Sequence, residues 1–432
     1  MTVSVFIFSL LGAMAIGMPI AYALLVCGLA LMAFMAATGA LAAFDSQILA
    51  QRFVDGADNF PLLAVPFFLL AGEFMNAGGL SRRIVNLAMA WVGHFRGGMG
   101  YVAVLAAVIM ASLSGSAVAD TAALSALLLP MMRQAGYQVN RSAGLIASGG
   151  IIAPVIPPSI GMIIFGVAGN VSITKLFLAG IVPGILMGVA IGVTWWFVAR
   201  KENVRAAPRV SMAERLRITG QGSLALTLPV VILGGMKFGI FTPTEAAVVA
   251  AVYSFVVGMF IYRELKARDL YKLILSAGKT TAVVMFLVAA AMVSAWLITV
   301  ANIPAEVATM LEPLMGNKML LMFVMMVIVV IVGTALDFTP TVLILTPVLM
   351  PLVLKAGIDP VYFGVMFIMN NAIGLITPPV GTVLNVVCGV ARISLDDAFK
   401  GVMPFFLAQL GVLFLLVLFP DIVLVPLKWL MQ

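Results

Sequence analysis

The heptapeptide Ala-Pro-Val-Ile-Pro-Pro-Ser at residues 153–159 lies inside an apolar run, residues 145–171, that is long enough to cross a lipid bilayer. Its prolines remove backbone donors and clash with the preceding turn, so they interrupt any helix that enters this stretch. The carbonyl groups freed by such a break are costly in hydrocarbon unless protein or an ion binds them. The stretch therefore predicts a discontinuous membrane helix with a functional break.

A second stretch of this kind, Gly-Leu-Ile-Thr-Pro-Pro-Val, lies 221 positions later at residues 374–380. Other prolines and glycines also coincide at this offset without a gap: Pro130 with Pro351, Gly136 with Gly357, Gly180 with Gly401, and Pro183 with Pro404. Such coincidences are improbable by chance in an apolar sequence. We predict two copies of one fold unit, residues 60–200 and 281–421.

The composition is that of a polytopic membrane protein. Of 432 residues, 63% are hydrophobic and 9% are charged, and the mean hydropathy is +1.19. The apolar runs are continuous and do not alternate, which predicts helical spans and not a barrel. The net charge of +7 does not indicate nucleic-acid binding, because the basic residues lie in short loops. The N-terminus has no basic segment and predicts a retained helix, most simply in a bacterial inner membrane.

Loop charges predict the relative orientation of the two copies. The loops at 200–217 and 263–279 are rich in Lys and Arg, so we expect both in the cytoplasm. The first copy carries Arg82, Arg83 and Arg96 after its leading helix, whereas the matching residues 303–317 carry Glu306 and Glu312 and no Lys or Arg. Equivalent loops therefore face opposite sides, as in an inverted-topology repeat.

These patterns predict an all-α polytopic membrane protein with discontinuous helices. The predicted parts are an N-terminal scaffold region of one long or two short helices (1–59), the first repeat (60–200), cytoplasmic loops with a linking helical hairpin (201–280), the second repeat (281–421) and a C-terminal tail (422–432). Each copy is expected to hold a leading helix (60–78 and 281–300), two broken segments (100–134 and 143–170, 319–355 and 361–391) and a closing helix. The two spans of the linking hairpin are expected at 224–242 and 244–262.

Each copy also holds polar interruptions that face the proline breaks. Because Na⁺ prefers oxygen ligands and the C-terminal end of a half-helix adds a negative dipole, these breaks predict two symmetry-related Na⁺ sites. The first combines Ser112, Ser114 and Ser116 with carbonyls near Ala153 and Ile156, and the second combines Gly333, Asp337, Gly374 and Thr377. The alternative is a proline kink with small residues for close helix packing. Duplication of the pattern favours ion or substrate sites.

Asp337 and three further polar residues bear on function. Asp337 and Asp120 are intramembrane carboxylates, which are costly and usually functional. Ser159 begins a half-helix that could meet a carboxylate. Arg392 follows the second break and either attracts an anionic substrate or snorkels to the interface. An enzyme is not expected, because the single histidine forms no metal motif or Ser-His dyad and Asp337 lacks a matching aspartate.

Several segments resemble the large membrane subunit, DctM-type, of tripartite ATP-independent periplasmic (TRAP) transporters. They are FPLLAVPFFLLAGEFMNAGGLSRRIV (60–85), GHFRGGMGYVAV (93–104), SLSGSAVADTAALSALLLPMMRQAGY (112–137), IIAPVIPPSIGMIIFGVAGNVSITKLFLAGIVPG (151–184) and FTPTEAAVVAAVYS (241–254). The resemblance covers nearly the whole chain.

The resemblance implies an elevator-type transporter driven by a Na⁺ gradient, with scaffold and transport domains and two re-entrant hairpins. It implies three partners besides the lipid bilayer: a small four-helix membrane subunit, a periplasmic substrate-binding protein and an anionic substrate. It places Na⁺ ligands at Ser112, Ser114, Ser116, Ala153, Ile156, Gly333, Asp337, Gly374, Thr377 and Val380. It places substrate contacts at Ser114, Ser159 and Asp337.

Two matters stay open at this point. The cargo is an organic acid such as a C4-dicarboxylate, sialic acid or another sugar acid. The alternative function is a stand-alone Na⁺-coupled dicarboxylate symporter or ion antiporter of the wider inverted-hairpin superfamily.

Overall fold

The computed structural model describes residues 2–39, 45–200 and 208–432, and within these ranges the regular structure is entirely helical. In the described ranges, nine helical segments are long and apolar enough to cross a membrane. They are Ile20–Ala37, Phe60–Ala77, Ile173–Ala199, Met212–Lys237, Pro243–Ile261, Ala267–Val300, Lys318–Ala335, Phe338–Lys355 and Leu395–Leu418. The prediction of an all-α, multi-pass membrane protein is confirmed. Lys201 and Arg205 of the basic loop lie outside the described residues.

The N-terminal region forms two short helices, the second of the two predicted alternatives. Helices α1 (Thr2–Ala15) and α2 (Ile20–Ala37) pack against each other. A third helix, α3 (Ser46–Ala57), was not foreseen; it begins at Asp45, whose carboxylate accepts a hydrogen bond from the Gln47 amide at 2.8 Å. An Asp at this position satisfies an amide that the first turn leaves unpaired.

The first repeat follows as seven helices after a 3₁₀ turn at Phe60–Leu63. They are α4 (Ala64–Ala77), α5 (Leu80–Val92), α6 (Gly98–Ser114), α7 (Ala117–Gln134), α8 (Val139–Gly150), α9 (Ile160–Gly169) and α10 (Ile173–Ala199). The linking hairpin is α11 (Met212–Lys237) and α12 (Pro243–Val256), which a π-helical turn extends to Ile261. The expected first linking span, 224–242, is wrong at both ends, because Ser211 caps an earlier polar turn and the helix stops at Lys237.

The second repeat mirrors the first in its helix bounds. It consists of α13 (Ala267–Val300), α14 (Ile303–Leu311), α15 (Lys318–Ala335), α16 (Phe338–Lys355), α17 (Pro360–Gly374), α18 (Thr382–Ala391) and α19 (Leu395–Leu418), and a last helix α20 (Asp421–Met431) occupies the predicted tail. Helices α7 and α16 coincide at both ends under the 221-residue offset. The Pro157-Pro158 and Pro378-Pro379 bonds are both cis.

The leading helix of the second copy starts earlier than predicted. Helix α13 begins at Ala267 and not at 281, and under the same offset it corresponds to α3 and α4 together. Pro61 has no amide hydrogen and interrupts the first copy at the 3₁₀ turn, whereas the matching residue of the second copy is Ala282, which continues the helix. The repeated unit therefore extends to residues 46 and 267.

The two copies interlock at their breaks. Helix α6 packs along α7, and α15 along α16, so each of these segments turns back on itself. The halves of the proline-broken helices separate instead: α8 packs on α6, α7 and α19, whereas α9 packs on α16 and α17. In addition, α7 contacts α18 of the other copy. Each hairpin is therefore held by a half-helix of the opposite copy, which brings the four breaks together.

Candidate cation and substrate site

The tip of the first hairpin is a two-residue break between α6 and α7. Helix α6 ends at Ser114, Gly115 adopts a left-handed conformation (φ 63°), and Ser116 caps α7 by accepting the Ala119 amide at 3.4 Å. A side chain at Gly115 would collide with the carbonyl oxygen of Pro158. Glycine therefore permits both the turn and the contact between this tip and the proline break.

Hydrogen bonds organise the serines of this tip. The Ser114 hydroxyl donates to Oδ1 of Asp120 at 2.5 Å and accepts the Ser116 amide at 3.2 Å, while the Ser112 hydroxyl donates to the Ile109 carbonyl at 2.6 Å. Because the Ser116 amide binds Ser114, it does not bind the Ser112 carbonyl, as a continuing helix would require. Asp120 is buried, so a carboxylate lies directly behind the tip.

The opposing proline break is buried along its whole length, residues 151–159. Its backbone makes short turns, with the Val155 and Ile156 amides both donating to the Ile152 carbonyl. Within the described parts of the chain, no hydrogen bond reaches the carbonyl oxygens of Ala153 or Ile156. The Ser159 hydroxyl donates to Pro154 O at 2.6 Å and caps α9 by accepting the Met162 amide. Ser159 is fully buried and its hydroxyl bonds within the break.

The second hairpin carries a carboxylate at its tip. Asp337 precedes α16 but makes no capping hydrogen bond with its side chain, and its Oδ1 accepts the Thr382 hydroxyl at 3.2 Å. The Val380 amide donates to the Thr334 carbonyl at 3.3 Å. Both contacts join the hairpin tip to the C-terminal side of the second proline break, where α18 begins.

Two glycines allow the closest approach in this half of the site. A Cβ atom on Gly374 would lie 2.7 Å from the carbonyl oxygen of Gly333. Thr377 lies one turn further, where its hydroxyl donates to the Ile373 carbonyl at 3.0 Å and its amide to the Gly374 carbonyl at 3.0 Å. The Val380 carbonyl accepts the Asn385 side chain at 2.7 Å. The carbonyls of Gly374 and Val380 are thus hydrogen-bonded, unlike those of Ala153 and Ile156.

One cavity of about 150 Å³ touches all four breaks. It is lined by Gly115, Ser116, Pro154, Asp337 and Leu375, with Thr280 of α13 at its side. A larger cavity of about 590 Å³ shares Leu69, Ser116, Val118 and Thr280 with it and extends past Ser114 to Glu73 and Arg82. The two cavities thus adjoin each other, and the larger one reaches the exposed Arg82.

The donor set of both breaks fits a hard monovalent cation. It consists of carbonyl, hydroxyl and carboxylate oxygens, the ligands that hard cations prefer. In the described residues no group of three or more His, Cys, Asp and Glu side chains could hold a transition metal. The four breaks therefore offer oxygens around a partly open cavity, and some of these oxygens have no hydrogen bond within the described residues.

Comparison with known proteins assigns the family. The family model described as the DctM component of the tripartite ATP-independent periplasmic transporter matches residues 7–422. The chain belongs to this family. It is a membrane permease subunit of a TRAP transporter and not an enzyme.

Two relatives show how far the similarity of this DctM subunit extends. The 2,3-diketo-L-gulonate TRAP transporter large permease protein YiaN of Escherichia coli K12 is 59% identical over 429 residues, covering 99% of this chain and all of the relative. The isethionate TRAP transporter permease protein DctMQ of Oleidesulfovibrio alaskensis is 37% identical over 410 residues, covering 95% of this chain and 64% of the relative.

A solved structure shares the fold of the DctM subunit. The crystal structure of the YdaH transporter of Alcanivorax borkumensis matches with a TM-score of 0.65 at 16% sequence identity, covering 86% of this chain and 87% of that one. At this identity the likeness concerns the fold alone.

The DctM structure does not bring Arg392 to the central cavity. Arg392 is exposed and ends α18 in a left-handed conformation, ten residues beyond Thr382, about 15 Å along the helix. Arg392 is thus distant from Asp337 along α18, and both its role as a substrate contact and its interfacial role stay predictions.

Several polar residues of the DctM site were given no role from the sequence. Thr382 donates to Asp337, Thr280 lines both central cavities, and Asn371 of α17 lies beside Gly333. The adjacent pair Asn370-Asn371 inside an apolar helix was an available signal, because buried amides in a membrane span need partners.

Proposed function

We propose that this DctM subunit imports an organic acid anion together with Na⁺ by an elevator movement. The observation that supports the proposal most directly is the convergence of both hairpin tips and both proline breaks on one cavity. In membrane transporters, broken helices of inverted repeats supply carbonyl oxygens for ions and half-helix N-termini for anions. Both kinds of helix end meet at this cavity.

The proposed Na⁺ sites are those that the sequence predicts. The first uses the serine tip with the carbonyls of Ala153 and Ile156, and the second uses Gly333, Asp337, Gly374 and Thr377, with Val380 at its edge. Asp337 lines the cavity, so its carboxylate would repel an anion there at low dielectric. A cation bound beside Asp337 removes that repulsion. The geometry thus gives a physical reason for obligatory coupling of anion and Na⁺.

The proposed moving part is the interlocked set α6–α9 and α15–α18. Its members hold one another across the two copies, whereas α4 and α13 border the central cavities from one side.

The number of membrane crossings also bears on the orientation of the second copy. If the hairpins are re-entrant, the chain crosses the membrane five times between the start of α4 and the start of α13, through α4, the α8–α9 helix, α10, α11 and α12. Because five is an odd number, α13 starts on the opposite side of the membrane from α4, and the second copy is inverted. The larger cavity ends at Arg82, so with basic loops inside the site faces the cytoplasm.

The proposed substrate is a sugar acid. The relative at 59% identity is named for 2,3-diketo-L-gulonate, and the one at 37% identity is named for isethionate. Both names specify small organic anions, and the closer relative favours a carboxylate with several hydroxyl groups. Uptake of a C4-dicarboxylate or of sialic acid in place of the sugar acid would be the competing result of an uptake test.

The proposed partners are a small membrane subunit and a periplasmic substrate-binding protein, in the inner membrane of a bacterium. The isethionate relative is named DctMQ, and this chain covers 64% of it. The additional length there has room for a fused small subunit. The DctMQ relative thus supports a small membrane subunit as a partner of this chain.

Reconstitution tests this function. The chain, its small subunit and its binding protein are placed in proteoliposomes, and uptake of labelled 2,3-diketo-L-gulonate, succinate and sialic acid is measured with and without an inward Na⁺ gradient. We expect uptake of the sugar acid that requires both the Na⁺ gradient and the binding protein. Equal uptake in K⁺ medium would contradict Na⁺ coupling, and uptake without the binding protein would favour the stand-alone symporter.

A further inference from the structure

Helix α17 carries two adjacent carboxamides deep inside the protein. Asn370 is 0% exposed and Asn371 is 1% exposed. The side-chain nitrogen of each donates a hydrogen bond to a backbone carbonyl of the second hairpin. Asn370 bonds to Met326 at 2.6 Å, and Asn371 bonds to Phe338 at 2.7 Å. Both Oδ1 atoms lack a hydrogen-bond partner within the described chain. A buried acceptor without a partner is costly, so each oxygen calls for an explanation.

The two oxygens differ in what surrounds them. Oδ1 of Asn371 lies 3.2 Å from the position that a Cβ atom on Gly333 would take, and Gly333 in turn touches Gly374. Asn371 is therefore beside the two glycines of the second predicted Na⁺ site. Asn370 binds Met326, seven residues before Gly333 and about 10 Å further along α15. The two amides are alike in burial and bonding but only one lies at the break.

We propose that the side-chain oxygen of Asn371 is an additional ligand of the cation at the second site. Its nitrogen meanwhile holds the Phe338 carbonyl, next to Asp337 at the hairpin tip. One carboxamide thus links the cation to the start of α16. This assignment rests on the proposed Na⁺-coupled function and adds a residue to it.

The first copy supports the assignment by a reciprocal exchange of residues. Under the 221-residue offset, Asn371 corresponds to Gly150 and Val342 corresponds to Thr121. A side chain on Gly150 would collide with the Thr121 hydroxyl, which is also buried and without a partner in the described residues. In the first copy the unpaired oxygen belongs to Thr121 of the hairpin. In the second copy it belongs to Asn371 of the broken helix. Each copy thus keeps one unpaired polar oxygen between its hairpin and its broken helix.

The test compares Asn371→Leu with Asn370→Leu in the full-length protein. Leu has nearly the shape of Asn but lacks both polar atoms. Thermal unfolding of the purified protein is followed while NaCl replaces choline chloride at constant ionic strength. A cation that binds only the folded state stabilises it by RT ln(1 + c/Kd), where c is the Na⁺ concentration, so the Tm starts to rise at Na⁺ concentrations near the Kd. We expect Asn371→Leu to raise the apparent Kd for Na⁺, fitted to the rise of Tm with Na⁺ concentration, at least tenfold, and Asn370→Leu to change it less than twofold.

The outcomes separate this inference from the proposed function. If the wild-type Tm does not respond to Na⁺, the proposed Na⁺ coupling itself is contradicted. If the wild type responds and Asn371→Leu responds at the same Na⁺ concentration, Asn371 is not a ligand. An equal shift in both variants also overturns the assignment, because it indicates a general loss of packing. Should Asn371→Leu not fold, Asn371→Ala replaces it with the same expected and contrary results.

Discussion

At the scale of single residues, Asp337 carries the clearest chemical assignment. Its carboxylate does not cap the helix that it precedes, and it lines the central cavity. An aspartate at the start of a helix usually stabilises it by capping. Because Asp337 does not cap α16, its carboxylate is available for a different interaction. We expect Asp337→Asn to lower Na⁺-driven uptake at least tenfold. Asp359→Asn is the matched control, since Asp359 caps α17 and Asn caps equally well. Equal uptake by the two variants would contradict the assignment.

Ser116 is the corresponding residue of the first copy and permits a second controlled comparison. Ser116 and Ser172 each cap a helix through a 3.4 Å bond, to the amides of Ala119 and Lys175. Replacing either with Ala removes a cap, a cost of about 1 kcal/mol. We expect similar losses of Tm in both variants but a large loss of uptake only in Ser116→Ala. Loss of uptake in both would mean that helix stability alone is responsible.

At the scale of elements, glycine contacts set how closely the hairpins approach the breaks. Gly374→Ala would place a methyl group 2.7 Å from the Gly333 carbonyl oxygen, which belongs to backbone and cannot turn aside. Overpacking of this kind costs about 1–3 kcal/mol. We expect a lower Tm and loss of Na⁺-driven uptake.

The control for this contact is Gly389→Ala in α18, where an added Cβ has no neighbour within 4 Å. It should retain uptake and gain a little helix stability. Normal uptake by Gly374→Ala would show that the Gly333–Gly374 contact is not part of the transport site.

The elements also show what local sequence can predict. Pro-Pro pairs and the Ser- and Asp-bearing interruptions predicted four breaks, and the breaks occur where α6, α8, α15 and α17 end. Proline acts on its own backbone, so its effect is local. The start of α13 was missed because no local signal separates a basic loop from a basic first helical turn. The contact of Asn371 with Phe338 spans 33 residues, and only the fold creates it.

At the scale of the whole molecule, the two copies have nearly the same helices at a constant offset. Charge predicts opposite orientations for them: the exposed Arg209 precedes α11 on the cytoplasmic side, and the exposed Glu312 follows α14 on the periplasmic side. We expect a membrane-impermeant maleimide to label Glu312→Cys in intact cells. Arg209→Cys should react only after lysis.

The labelling requires a background in which Cys388, which is partly exposed, is replaced; Cys27 is buried. Labelling of both positions from the same side would contradict the inverted repeat. The distinction is independent of transport activity.

The central claim is that each pair of breaks holds its own Na⁺, and equilibrium binding of ²²Na⁺ to the purified protein tests it most directly. The two-site arrangement predicts at least two Na⁺ per wild-type chain, one fewer in Ser116→Ala, one fewer in Asp337→Asn, and the loss of both in the double variant. Binding of a single ion by the wild type, or an unchanged number in both single variants, would contradict it.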